Sequence, residues 1–99
     1  MKMKTMKYEE LLDEQLKDKE FRQAYEEHEE EFAVAIEVIA LRQQANMTQR
    51  ELADRVGTSQ PAIARLESGN YRNLSLAFLR RVADALGAVT EVHLRREKM

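Results

Sequence analysis

Gln60 and Arg65 are the two side chains best suited to reading a polar surface in this 99-residue sequence. A glutamine amide sets a donor beside an acceptor, the pattern that meets N7 and N6 of adenine. A guanidinium is a rigid fork of donors that meets O6 and N7 of guanine, or a phosphate. The two residues stand about one and a half turns apart on a helix. Ser59 and Ala62 accompany them, with Thr58 just before. All are small or good hydrogen bonders, as a groove-reading face requires, and Ala62 offers only a methyl contact to thymine. Two further groups suit the nucleic-acid backbone. Gln49 falls at a helix start, where its amide and the helix dipole can clamp a phosphate. Asn70, Tyr71, Arg72 and Asn73 form a second donor cluster further on. The alternative is that these are ordinary solvated residues, and the stretch that must position them decides against it for Gln60 and Arg65.

That stretch is TQRELADRVGTSQPAIARLESGN, Thr48 to Asn70. Thr48 with Glu51 reads as a capping box that opens a helix. Leu52, Ala53 and Val56 line one face, and Gly57 stops it in a left-handed conformation that only glycine adopts cheaply. Thr58 or Ser59 caps the next helix, and Pro61 is tolerated because it falls in the first turn. Ile63 and Leu66 then face Leu52, Ala53 and Val56, holding two helices around a tight turn. Glu67 sits where a negative charge would oppose a phosphate. An internal ion pair with an arginine such as Arg42 is its expected role.

This stretch resembles the helix-turn-helix of the Cro/C1-type (XRE) repressors. Gln49, Glu51-Leu52-Ala53, Gly57, Ser59-Gln60, Ile63, Arg65, Glu67 and Gly69 carry the likeness, which covers roughly residues 32–88. It implies a lambda-repressor-like fold with the positions of Ser59, Gln60, Ala62 and Arg65 in the major groove. Pro61 departs from the polar residue more usual there and narrows the readable surface.

Charge divides the chain in two. Residues 1–31 carry six Lys/Arg against eleven Asp/Glu, whereas residues 32–99 carry ten against seven. An acidic arm joined to a basic reading domain suits a protein with two partners, although a solvated acidic helix explains the arm as well. In the arm, Tyr8, Leu11, Leu12 and Leu16 share one side of a short helix. Phe21, Tyr25, His28, Phe32, Ile36 and Ile39 then recur at helical spacing. That stripe predicts either one helix from about Lys19 to Gln44 or a break near Glu29 to Glu31. The arm's apolar residues either cover the domain's own core or meet another protein.

Ser75 should cap a further helix with Leu76, Leu79, Val82, Ala83 and Leu86 inward and Gly87 as its stop. Val89, Thr90, Glu91, Val92, His93 and Leu94 alternate with a period of two and predict a C-terminal strand. A lone strand needs a partner for its backbone groups. The same strand of a second copy, or another protein's sheet, would supply one.

With no cysteine, no apolar run long enough for a membrane span and no apolar stretch in MKMKTMK, the expectation is a cytoplasmic protein without disulfides. His28 and His93 do not make a metal site, and no catalytic constellation stands out, so no enzyme, cofactor, metal or small-molecule substrate is expected. The expected architecture is all-α: a five-helix protein comprising an acidic helical arm (1–31), a helix-turn-helix domain (32–88) and a strand for homodimerisation (89–99). By layout, arm, repressor domain and terminal strand resemble the HigA-type antitoxins of toxin–antitoxin pairs. That resemblance implies a basic RelE/HigB-like ribonuclease toxin held through Tyr8, Leu11, Leu12, Leu16, Phe21 and Tyr25, with repression of the protein's own operon. A stand-alone repressor without a toxin is the alternative.

Overall fold

A computed structural model describes residues 8–97. It contains six helices: α1 (Tyr8–Leu16), α2 (Lys19–Glu27), α3 (Glu29–Gln44), α4 (Gln49–Val56), α5 (Gln60–Ser68) and α6 (Leu76–Ala85). The side chains of Tyr8, Leu11 and Tyr25, three of the expected partner contacts, lie outside the described residues.

The expected five helices become six because the stripe breaks at His28, whose backbone (φ −133°, ψ 51°) is not helical. Charge explains the position. In one unbroken helix Glu26, Glu27, Glu29, Glu30 and Glu31 would face one another at i, i+3 and i, i+4, which is repulsive. The break instead puts Glu29, Glu30 and Glu31 in the first turn of α3, where the helix dipole favours negative charge.

Helix α3 is the axis of the fold. It contacts α1 and α2 as well as α5, so it must be apolar on more than one side. Phe32, Ala35, Ile36, Val38 and Ala40 are accordingly all buried. Phe21 of α2 meets Phe32 edge-on, with centroids 4.9 Å apart. The arm therefore packs on the domain. Leu12, Leu16 and Phe21 are each half-buried.

A second buried cluster joins Val38, Met47, Leu52, Ala53, Val56, Ile63, Leu66 and Val82. Leu52, Ile63 and Leu66 are at most 1% exposed, and burying each such side chain contributes about 1.5–3 kcal/mol. Helix α4 starts with the expected capping box: Thr48 Oγ1 accepts from the Glu51 amide at 3.0 Å, and the Thr48 amide donates to Glu51 Oε1 at 3.1 Å. The Thr48 backbone N–H, then its hydroxyl, hold the Glu51 carboxyl below the ordinary carboxylate range. Of the two candidates, Ser59 is the cap of α5, its Oγ accepting from the Ala62 amide at 3.3 Å.

Two expectations need correction. Leu76 does not face inward: it is 47% exposed in the first turn of α6, and Phe78 packs on the core instead. No strand occurs among the described residues. A strand exists only through hydrogen bonds to a neighbour, and no other described segment is a strand that residues 89–94 could join. Ala88, Val89, Thr90 and Glu91 instead line a groove of about 130 Å³ between α3 and α6.

Candidate nucleic-acid interface

The candidate interface is organised from inside by Glu67. Its side chain is 5% exposed, and Arg42 of α3 grips it with Nε to Oε2 at 2.6 Å and Nη2 to Oε1 at 2.9 Å. The third arm of the guanidinium, Nη1, donates to the Met47 carbonyl at 2.8 Å, fixing the loop before α4. This is the ion pair expected for Glu67, and it ties α3 to α5.

A carboxylate only accepts, so the Gln49 group facing Glu67 must be its NH2, and Nε2 donates to Oε1 at 3.0 Å. The Gln49 carbonyl therefore faces the other way and accepts from Gln60 Nε2 at 2.8 Å. Each link fixes the next. The amide of Gln60, half-buried at the first position of α5, is left with its Oε1 and one N–H to offer outward. The Gln49 side chain, expected on a phosphate, joins Glu67 to Gln60 within the protein.

Arg65 is exposed, and its Cζ lies 5.8 Å from the centroid of the Tyr71 ring. Tyr71 stacks on Phe78 at 5.5 Å with an interplanar angle of 25°. Arg81 stands 5.8 Å from the Phe78 centroid, and its Nη2 donates to the carbonyls of Val56 (2.8 Å) and Gly57 (3.3 Å) at the turn after α4. Phe78 and Arg81 were not singled out from the sequence. An Arg three residues after an aromatic on one helix face was the available signal.

Gly69 closes α5 at φ +79°, and a Cβ there would lie 2.7 Å from the Phe32 ring. Past it, Arg72 Nη1 donates to the Gly69 carbonyl at 2.5 Å, so Arg72 is engaged within the protein. Asn73 adopts φ +56°, a backbone role that Asn tolerates better than most residues. Thr58, Ser59, Ala62 and Asn70 sit around the two ends of α5, Ser59 and Asn70 exposed and Thr58 and Ala62 half-buried. Among the described residues no group of three or more His, Cys, Asp and Glu side chains is placed to hold a metal. No helix among them is long and apolar enough to cross a membrane.

Two short helices, the second buried through Ile63 and Leu66 and presenting Gln60 and Arg65, make a helix-turn-helix. A family model described as Helix-turn-helix matches residues 38–94, more than half of the chain. The chain belongs to that family, of the Cro/C1-type (XRE) helix-turn-helix, a DNA-binding regulatory domain. No curated protein and no solved structure matches the chain.

Proposed function

We propose that this protein is a sequence-specific repressor of transcription that lays α5 in the major groove of its operator. The observation that carries this reading is the hydrogen-bond chain Arg42–Glu67–Gln49–Gln60. It aims a glutamine amide of fixed polarity outward from the start of a surface helix, the geometry needed for bidentate contact with adenine. Arg65 reads a guanine or holds a phosphate. Ser59, Ala62 and Thr58 line the groove, and Asn70 and Asn73 face the backbone. Two copies bind an inverted repeat with half-sites about 34–36 Å apart. They join through residues 89–94, where Val89, Val92 and Leu94 are 86%, 58% and 96% exposed. Such exposure suits a surface that a second copy covers.

Selection from a random duplex pool tests the reading. The chain should enrich one inverted repeat, with affinity falling steeply as salt rises. Gln60→Ala with Arg65→Ala should abolish that preference. Retained selectivity in the folded double variant would sink the proposal.

The second reading is an antitoxin that also represses its own operon. Its support is the acid excess of residues 1–31 and an open surface formed by Glu26, Glu27, Glu29, Glu30 and Glu31, which suits a basic partner. Phe21 packs on Phe32 within the chain, so in this reading the acidic face, more than the apolar stripe, meets the RelE/HigB-like toxin. Co-expression of the tagged chain with its neighbouring gene separates the two. A small basic protein that co-purifies and loses its ribonuclease activity in the complex selects the antitoxin, and its absence selects the stand-alone repressor.

A further inference from the structure

We propose that Tyr71 is a positioning residue: it acts on DNA through Arg65, and not as a phosphate ligand of its own. The proposal deepens the DNA-binding reading above and rests on it.

The placement of the ring carries the argument. Arg65 is exposed near the end of α5, where a free arginine would sweep a wide volume of solvent and lose rotamer entropy on docking. Here its guanidinium lies over the Tyr71 ring at 5.8 Å. That ring is half-buried, packs against the central core and stacks on Phe78, so it is held from behind as well as from one side. Phe78 is fixed in turn: its amide donates to the Ser75 cap at 3.1 Å, and its side chain packs on the central core. The backbone beneath Arg65 is pinned as well, since Ser68 Oγ donates to the Arg65 carbonyl at 2.7 Å. A supported path thus runs from the core, through two aromatic rings, to one arginine.

The contact with tyrosine does not compete with a base. An aromatic ring engages the face of a guanidinium, whereas hydrogen bonds to guanine O6 and N7 leave from its edge. Arg65 can keep the ring and read the groove together, and part of its rotamer entropy is already lost before DNA arrives.

The discriminating variants are Tyr71→Phe, which keeps the ring and deletes the hydroxyl, and Tyr71→Leu, which deletes the ring. Both are made in the full chain and in an Arg65→Ala background. Binding is measured on the selected operator and on operators altered one base pair at a time, after thermal unfolding confirms a folded protein. Tyr71→Phe should bind like the parent chain, as should Tyr71→Trp, which also keeps an aromatic face. Tyr71→Leu should weaken binding about two- to fivefold, the scale of an exposed cation–π contact. It should blunt discrimination at the base pair that Arg65→Ala also blunts, and add nothing in the Arg65→Ala background. A loss for Tyr71→Phe, or an undiminished loss for Tyr71→Leu in that background, overturns the proposal; the former stands as a test even if the leucine variant does not fold. If the parent chain selects no duplex, the DNA-binding reading and this proposal fall together. If it selects one and the double-variant coupling is absent, only the proposal falls.

Discussion

Replacing Gly69 with alanine should be among the most damaging single-methyl additions in this protein. Two costs combine. At φ +79° an L-residue is left-handed, which costs roughly 1–2 kcal/mol. The added Cβ would then lie 2.7, 2.8 and 2.8 Å from three atoms of the Phe32 ring, closer than real Cβ atoms come. That ring cannot simply retreat, being 5% exposed and met edge-on by Phe21. Overpacking of this kind costs typically about 1–3 kcal/mol. Reduced freedom of the unfolded alanine chain raises the cost of neither term and, in the reference state, offsets the sum by about 0.4–1 kcal/mol. The net is a loss of roughly 1–4.5 kcal/mol, or a midpoint lower by roughly 5–35 °C for a domain of this size. Urea and thermal denaturation followed by far-UV circular dichroism measure it. Gly87→Ala is the control, since Gly87 has φ +68° but nothing within 4 Å of its added Cβ. It should show only the conformational cost. Phe32→Leu combined with Gly69→Ala should be less damaging than the two single changes added together. The reasoning is refuted if Gly69→Ala costs no more than Gly87→Ala, or if its effect simply adds to that of Phe32→Leu.

Three other outcomes follow from the same geometry. Arg42→Ala strands the Glu67 carboxylate, whose side chain is 5% exposed, and should cost about 3–5 kcal/mol in urea denaturation; a change below about 1 kcal/mol would mean that water compensates the charge. Gln49→Ala should cost only about 1 kcal/mol of stability while weakening discrimination at the base pair assigned to Gln60, read by competition between operators. Glu37 gives a pH signature. Its side chain is exposed overall, but one flank lines the α3–α6 groove, and desolvation there raises its pKa. A raised carboxyl binds its proton more tightly when folded, so ionisation destabilises the fold as pH rises from the ordinary carboxylate value through the folded one. Glu37→Gln should therefore gain stability over the parent chain at neutral pH and lose that advantage in acid, and a pH-independent difference would contradict the assignment.

The helix-turn-helix was legible because its signals are local. Thr48 with Glu51, Ser59 before Pro61, and Leu52, Ala53, Val56, Ile63 and Leu66 at helical spacing each depend on neighbours within a turn or two. The Arg42–Glu67 pair was reachable by asking where a carboxylate near the end of α5 could go. The relay through Gln49 was not, since a glutamine at a helix start looks the same whether it faces solvent or a neighbouring side chain. Nor was the seat of Phe32 on Gly69, which requires α3 and the end of α5 to be placed first. The alternation of residues 89–94 is real, but a period of two records which residues share a face and cannot supply the partner that makes a strand.

The relay that begins at Arg42 also has a direction. A guanidinium has no acceptor and a carboxylate no donor, so the order of groups is dictated from the interior outward and the terminal amide cannot turn over without breaking a link. Under the DNA-binding reading, the letter recognised at the surface is thus spelled by residues that never meet it. Selection on operator preference would then reach Arg42 and Glu67, and a drifting regulator could change its reading sense through its core while its exposed face stayed the same.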